Sequence, residues 1–357
     1  MAEFTIHDVP TPASIDAPDA ADFIRAIEVA NAVETVSYGM PDMFSYEPVE
    51  EIPHFTNPNE PRRMIVARVD GEIVARGLYE TQTEGEADTA WILAQVLPEF
   101  RGRGIGTALS DRLEGMALAD GKRKALVYTP ILDVPGDRLP SPTGFGSISA
   151  EHRDVKFLQA RGYSFEQVER ASRLPLPFLD ADRLVAEAEA RSGPDYAVHY
   201  WVGSTPERWL ADIANLATRM STDAPSAGLD EPEDPWTVER VREADERNTR
   251  MSPRTRVFAA IEHLPSATLA GFTQMSVPRQ QHRAVDQYAT IVLKEHRGHR
   301  LGMLLKVANL AHLERVAPGH PAVITFNAEE NRHMLDVNEA VGFLPVSNES
   351  AWRKDLL

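Results

Sequence analysis

The sequence predicts two α+β domains of common design, and three observations carry that prediction. At 357 residues the chain is long for one compact domain and comfortable for two of about 175 each. One short phrase occurs twice, about two hundred residues apart: WILAQVLPEFRGRGIGTAL from Trp91 to Leu109 and YATIVLKEHRGHRLGMLL from Tyr288 to Leu305. Around each copy the strand-like and helix-like segments follow one order, β-β-β-loop-α-β-α-β.

In the first half, Asp19 to Ala32 has helical apolar spacing. Met64 to Thr81 is two alternating runs joined by Asp70-Gly71, a strong hairpin signal. A third strand runs to Val96, the Arg/Gly loop follows, and Thr107 to Ala119 reads as a helix through Leu109, Leu113, Met116 and Ala117. Lys124 to Thr129 is the next strand, and Pro130 to Ser149, rich in Pro, Gly and Ser, is a long loop. A helix over Glu151 to Ala160 ends at Gly162-Tyr163, before a polar strand pair that reaches Leu174.

The Pro-bounded stretch Pro175 to Pro194 holds a short helix and marks the boundary, giving an N-terminal domain over 1–176 and a C-terminal domain over 177–357. The second half then repeats the order. Tyr196 to Val202 is a strand, Pro206 to Met220 and Trp236 to Met251 are helices, and Val257 to Val277 is a hairpin around Leu264-Pro265-Ser266. Tyr288 to Leu293 precedes the loop, Gly302 to Val316 is helical, Ala322 to Phe326 is a strand, and the helix Glu329 to Ala340 ends at Gly342-Phe343.

Composition narrows the chemistry. With no cysteine, disulfides, thiolate metal sites and cysteine nucleophiles are excluded, and acid/base work falls to carboxylates, His, Tyr or backbone. A formal charge of -17 opposes binding to nucleic acid or anionic membrane and suits a cationic acceptor. No stretch nears the roughly 18 apolar residues of a membrane helix, and the start MAEFTIHDVPTP lacks the features of a signal peptide, so a cytoplasmic protein is expected. The pair His296 and His299 has no third ligand in view, so no metal is expected.

A strand that ends in an Arg/Gly loop and restarts as a helix leaves backbone amides unpaired where the helix dipole favours an anion. The loop is built for phosphate. Glycines at Gly104 and Gly106 allow close approach of the backbone, and Arg101 and Arg103 add charged donors. On these residues each half resembles the GNAT superfamily of N-acetyltransferases, whose signature [Q/R]-x-x-G-x-[G/A] follows the fourth strand. Arg101-Gly102-Arg103-Gly104-Ile105-Gly106 matches it fully, and Arg297-Gly298-His299-Arg300-Leu301-Gly302 departs from it only in Arg300 for the first glycine. The tandem arrangement is similar to that of mycothiol synthase-like double-domain acetyltransferases.

The resemblance implies an α/β/α fold in which each domain is a mixed, mostly antiparallel sheet flanked by helices. It implies acetyl-CoA as cosubstrate and transfer to a primary amine of a small molecule, by a monomer or homodimer without nucleic-acid or membrane partners. By the same resemblance Val96, Leu97, Arg101, Gly102, Arg103, Gly104, Gly106 and Thr107 in the first half would bind the coenzyme. In the second half Ile291, Val292, Arg297, Gly298, His299, Arg300, Gly302, Met303 and Asn331 would do so. The Val292 amide is the expected oxyanion donor and Asp286, at the start of the fourth strand, the expected base, with Glu295 and Glu262 as rivals. The family's thiolate acid, a Tyr, is replaced by Leu158 in the first half and Asn338 in the second, so either another donor such as Tyr288 or water serves, or one or both domains no longer catalyse by the common route. Because Asn331 has no match in the first half, where Glu151 stands, the chemistry is expected mainly in the second domain. Two alternatives stay open: an acyl-CoA-binding regulatory or pseudoenzyme pair, and a protein-lysine acetyltransferase.

Overall fold

A computed structural model of the chain describes residues 3–40, 45–84, 88–223 and 225–356. Its elements begin with β1 (Thr5–Val9), α1 (Ala21–Tyr38), α2 (Pro48–Phe55), β2 (Arg62–Val69), β3 (Glu72–Thr81), β4 (Thr89–Val96), α3 (Ile105–Ala119) and β5 (Lys124–Ile131). Then come β6 (Arg138–Pro140), β7 (Ser147–Ser149), α4 (Arg153–Ala160), β8 (Ser164–Pro175), α5 (Ala181–Ser192), β9 (Tyr196–Val202), α6 (Leu210–Asp223) and α7 (Val238–Met251). The chain closes with β10 (Thr255–His263), β11 (Thr268–Val277), β12 (Val285–Val292), α8 (Leu301–Val316), β13 (Ala322–Ala328), α9 (Arg332–Val341) and β14 (Leu344–Asp355). Sequence spacing did not reveal β1 or α2, and it gave no bounds for β14, the strand that closes the order around the second copy. The expected strand pair before Leu174 is one long strand, β8, and the long loop contains the short β6–β7 hairpin.

Contacts group the chain into two compact units. The first comprises Met1–Glu169, Ser226–Asp234 and Ser347–Leu357, the second Arg170–Pro225 and Pro235–Val346. Among the described residues no helix is long and apolar enough to cross a membrane.

The sheet of the first unit runs β1-β2-β3-β4-β5-β14. Asp70 (φ 50°) and Gly71 (φ 87°) turn β2 into β3, and a two-residue hairpin with both central residues at positive φ matches the twist of its strands. β3 and β4 pair antiparallel in unbroken register from Thr81↔Ala90 to Ala75↔Val96. β4 and β5 run parallel for three pairs only, Thr89↔Lys124 to Trp91↔Leu126, so a cleft opens beyond Trp91. On its other edge β5 pairs with Asn348 to Asp355 of β14, more than two hundred positions away in sequence. The 226–234 segment docks on the same unit through Lys124 Nζ to Asp230 Oδ2 (2.8 Å) and the Tyr128 hydroxyl to Glu231 Oε1 (2.6 Å). The apolar face of α3, Leu109, Leu113 and Met116, packs with Ile65, Ala67 and the fully buried Trp352. Each such side chain contributes about 1.5–3 kcal/mol on burial, which fixes the helix start against the cleft.

The second unit repeats the plan with β13-β12-β11-β10-β9. β12 and β13 pair in parallel at Val285↔Val323 and Asp286↔Ile324 before diverging, and a register shift against β11 leaves Tyr288 unopposed on β12. Arg300, where the signature has glycine, takes the left-handed conformation (φ 57°) at the N-terminus of α8, as Gly104 (φ 86°) does at α3. The turn is therefore kept despite the substitution. An L-residue there is strained, so Arg300→Gly is expected to stabilise the chain by about 1 kcal/mol, read as a higher urea midpoint; a lower midpoint would show that the Arg side chain outweighs the strain.

Candidate active site

In the first unit the strand, loop and helix converge on one cleft. The Leu97 amide donates to the Val74 carbonyl (3.1 Å), and its own carbonyl accepts from Phe100. Because successive residues of a strand point their amides to opposite edges, the Val96 amide faces the side from which β5 has diverged. The Val96 carbonyl on that edge accepts Arg101 Nε at 2.8 Å, which holds the guanidinium over the cleft and leaves its buried Nη2 without a partner. The helical ladder of α3 begins with the Ala108 amide on the Gly104 carbonyl (3.0 Å), so the amides of Ile105, Gly106 and Thr107 precede it. No acidic residue sits in that first turn. These donors suit a diphosphate: a buried cation atom lacking an acceptor, free amides and a favourable dipole meet at one place.

A cavity of about 480 Å³ extends from this loop to α1 and β14. Val96, Arg101, Gly104 and Thr107 line one part of it, and Glu34, Tyr38, Gln95 and Glu349 another. Glu34 and Tyr38 are four residues apart on α1 and share a face. Gln95 Nε2 donates to Glu34 Oε1 (2.9 Å), and the Tyr38 hydroxyl donates to Glu349 Oε1. Burial among these walls pushes the Glu34 carboxyl up to about 7; Arg76 and the Gln95 hydrogen bond oppose the rise, and Glu51 and Glu349 add to it. Glu349 is likewise raised by burial and held back by the Tyr38 hydrogen bond, while burial and then Glu349 raise the Tyr38 phenol. A carboxyl that titrates near neutrality inside a cleft is a candidate acid or base.

The remaining expected residues of the first half lie around this site with less to offer. Leu97 has both backbone groups engaged in the protein. Arg103 bonds the Glu99 carbonyl (2.9 Å) and lies over the Phe100 ring. Gly102 flanks the loop in the cavity wall. Leu158, where the family carries its Tyr, is an apolar wall residue, and Glu151 pairs with Lys156 outside the cavity.

In the second unit the same backbone geometry recurs, but its charges are already engaged. The Leu293 amide donates to Ala270, so Val292 faces the diverging edge by the same alternation, and Arg297 Nε reaches the Val292 carbonyl at 3.3 Å. Arg297 Nη2 also meets Asp223 Oδ2 (3.1 Å), and Lys294 Nζ meets Asp223 Oδ1 (3.0 Å). That carboxylate is nearly buried, its side chain 3% exposed. The Met303 amide is already bonded to the Arg300 carbonyl (3.1 Å), which removes one donor from the helix start. Gly298 and Gly302 adjoin this turn, Ile291 is buried in β12, and the His299 ring packs against Tyr196. Asn331 caps α9, its Oδ1 accepting from the Met334 amide. The Asp286 carboxylate is paired with Arg254, and Asn338 donates to Asn327. Rival Glu262 is paired with His199. Among the described residues no group of three or more His, Asp or Glu is arranged to hold a metal ion.

The loop was legible in the sequence; Glu34, Tyr38, Gln95 and Glu349 were not. A signal existed for two of the residues around Glu34: Gln95 and Arg76 are lone polar positions in the otherwise apolar runs of β4 and β3, and both are almost wholly buried, 5% and 7% exposed.

Residues 30–132 match the acetyltransferase (GNAT) family model, a span that runs from the Glu34 turn of α1 to the end of β5. Acetyltransferase plu1384 of Photorhabdus laumondii is 40% identical over 72 residues, 20% of this chain and 48% of the relative, so the match spans about half of that protein. Among solved structures, a tandem GNAT protein from the clavulanic acid biosynthesis pathway superposes with a TM-score of 0.73 at 22% identity over 99% of both chains. A GCN5-related N-acetyltransferase from Sphaerobacter thermophilus gives 0.60 at 15% identity over 99% of this chain and 96% of that one. Residues 30–132 thus match the GNAT acetyltransferase family, and the chain as a whole has the fold of the tandem GNAT proteins.

Proposed function

We propose that the protein is an acyltransferase that moves an acetyl group from acetyl-CoA to a primary amine of a small molecule, and that the chemistry lies in the first unit rather than the second. The observation that carries this reading is the single cavity in which the Arg101 to Thr107 loop and the Glu34 carboxyl meet. Arg101 and the Ile105, Gly106 and Thr107 amides would hold the coenzyme's diphosphate, and the coenzyme supplies the activated acyl thioester. Glu34 takes a proton from the attacking nitrogen, and the Val96 amide is placed to donate to an oxygen on which negative charge grows. In the balanced reaction a C–N bond forms, a C–S bond breaks, and the proton lost by nitrogen matches the one gained by sulfur.

For the second unit we infer a supporting role, with the duplication itself running over 1–176 and 177–357. Asp223 supports this, because it occupies the two cations that would otherwise face a phosphate. Asp223→Asn is expected to release them and raise the affinity of this loop for CoA about three- to tenfold, the weight of one or two screened ion pairs. Calorimetric titration reads it as a second binding event; unchanged binding would show that Asp223 is not what limits the loop. The function itself is tested by thiol release from acetyl-CoA with a panel of small amines and with lysine peptides. Acetylated small amines support the reading, and turnover restricted to peptides overturns it.

A further inference from the structure

The part of the cavity formed by α1 and β14 carries more acid than base. Of the side chains that line this part, Glu34 and Glu349 are acidic and none is basic, and the Arg76 guanidinium that acts on Glu34 lies outside the lining. A second observation is independent of charge. Gln95 stands in the cavity wall, 5% exposed, with its Nε2 on Glu34, which fixes the amide's orientation and leaves Oε1 buried without a donor. Such an oxygen calls for an N–H from whatever fills the cavity. Glu349 already accepts from Tyr38 through Oε1, which sets the direction of its carboxylate toward the same space.

We propose that the acceptor is a small aliphatic diamine. One nitrogen lies against Glu34 and Gln95 Oε1 and is acylated, and the other stays protonated against Glu349. This rests on the acyl-transfer reading above and adds the acceptor's class to it. The reacting ammonium gives one proton to Glu34, and the nitrogen forms the C–N bond as the C–S bond breaks. The second proton that nitrogen sheds on becoming an amide is matched by the one the departing sulfur gains, Glu34 returns its proton to solvent, and the distal ammonium keeps its charge throughout. The product carries one cation in place of two, so it pairs with one carboxylate fewer and is released after a single acylation.

The test is the initial rate of thiol release from acetyl-CoA with 1,4-diaminobutane, butylamine, 4-aminobutan-1-ol and 4-aminobutanoate, with products resolved by mass. The diamine is expected to exceed butylamine in kcat/KM by at least about tenfold, the weight of one hydrogen-bonded charge, with 4-aminobutanoate slowest and the mono-acetyl product dominant. Glu349→Gln is expected to bring the diamine-to-butylamine ratio toward one. Equal rates for diamine and butylamine, a preference for 4-aminobutanoate, or prompt double acetylation would overturn the diamine assignment while leaving amine acylation standing. Acylation of none of the four, with CoA binding intact by calorimetry, would overturn the acyl-transfer reading itself and the diamine with it.

Discussion

Glu34→Gln is expected to lower kcat by about two to three orders of magnitude with little change in CoA affinity, the range seen when a positioned general base is removed. The replacement keeps shape and a hydrogen-bonding group beside Gln95 but cannot accept a proton. The pH profile separates this role from a structural one. Burial holds the Glu34 carboxyl near 7, with Gln95, Arg76, Glu51 and Glu349 as the groups around it. Below that pH the carboxyl keeps its proton and cannot act as base, so the rate should climb as pH rises through about 7 and then level. In the Gln variant this acid limb should disappear. An acid limb that survives unchanged would assign the base to another group, with Glu349 the nearest candidate.

Gly106→Glu is expected to raise the KM for acetyl-CoA at least about a hundredfold. A carboxylate in the first turn of α3 would stand where the coenzyme's diphosphate is held, and two like charges some 4 Å apart cost about 4 kcal/mol at the effective dielectric of a protein surface. A carboxylate at a helix N-terminus favours the helix itself. A Cβ at this position meets only Val96 and Phe157 side chains, at 3.8 and 3.9 Å, so the fold should tolerate the change. An unchanged thermal midpoint alongside lost coenzyme binding would therefore locate the effect in recognition.

What the sequence revealed and what it hid follow from how local each interaction is. The Asp70-Gly71 hairpin and the Arg101 to Thr107 loop are set by neighbouring residues, so their turn chemistry is written in a few positions. β14 lies beside β5 through pairs such as Trp352↔Val127, which no window of neighbouring residues contains. The same separation hides Glu349 from a search for catalytic residues: its neighbours in sequence are polar strand residues, and only the pairing with β5 brings it to Tyr38. Arg300 misleads in the other direction. It breaks the signature by type, yet an arginine can take the left-handed conformation at a modest cost, so the turn survives. What distinguishes the second loop is instead Asp223, seventy-four positions before Arg297. The expected base Asp286 stands at the start of β12, and its pairing with Arg254 depends on the neighbouring strands and on nothing in its own segment.

In the proposed reaction the coenzyme is gripped by the start of α3. Calorimetric titration of CoA into the intact chain and into its Gly106→Glu and Gly302→Glu variants tests this most directly. One strong site per chain, lost in Gly106→Glu and retained in Gly302→Glu, is the predicted result. Binding that survives Gly106→Glu and vanishes in Gly302→Glu would contradict it and return the chemistry to the second unit.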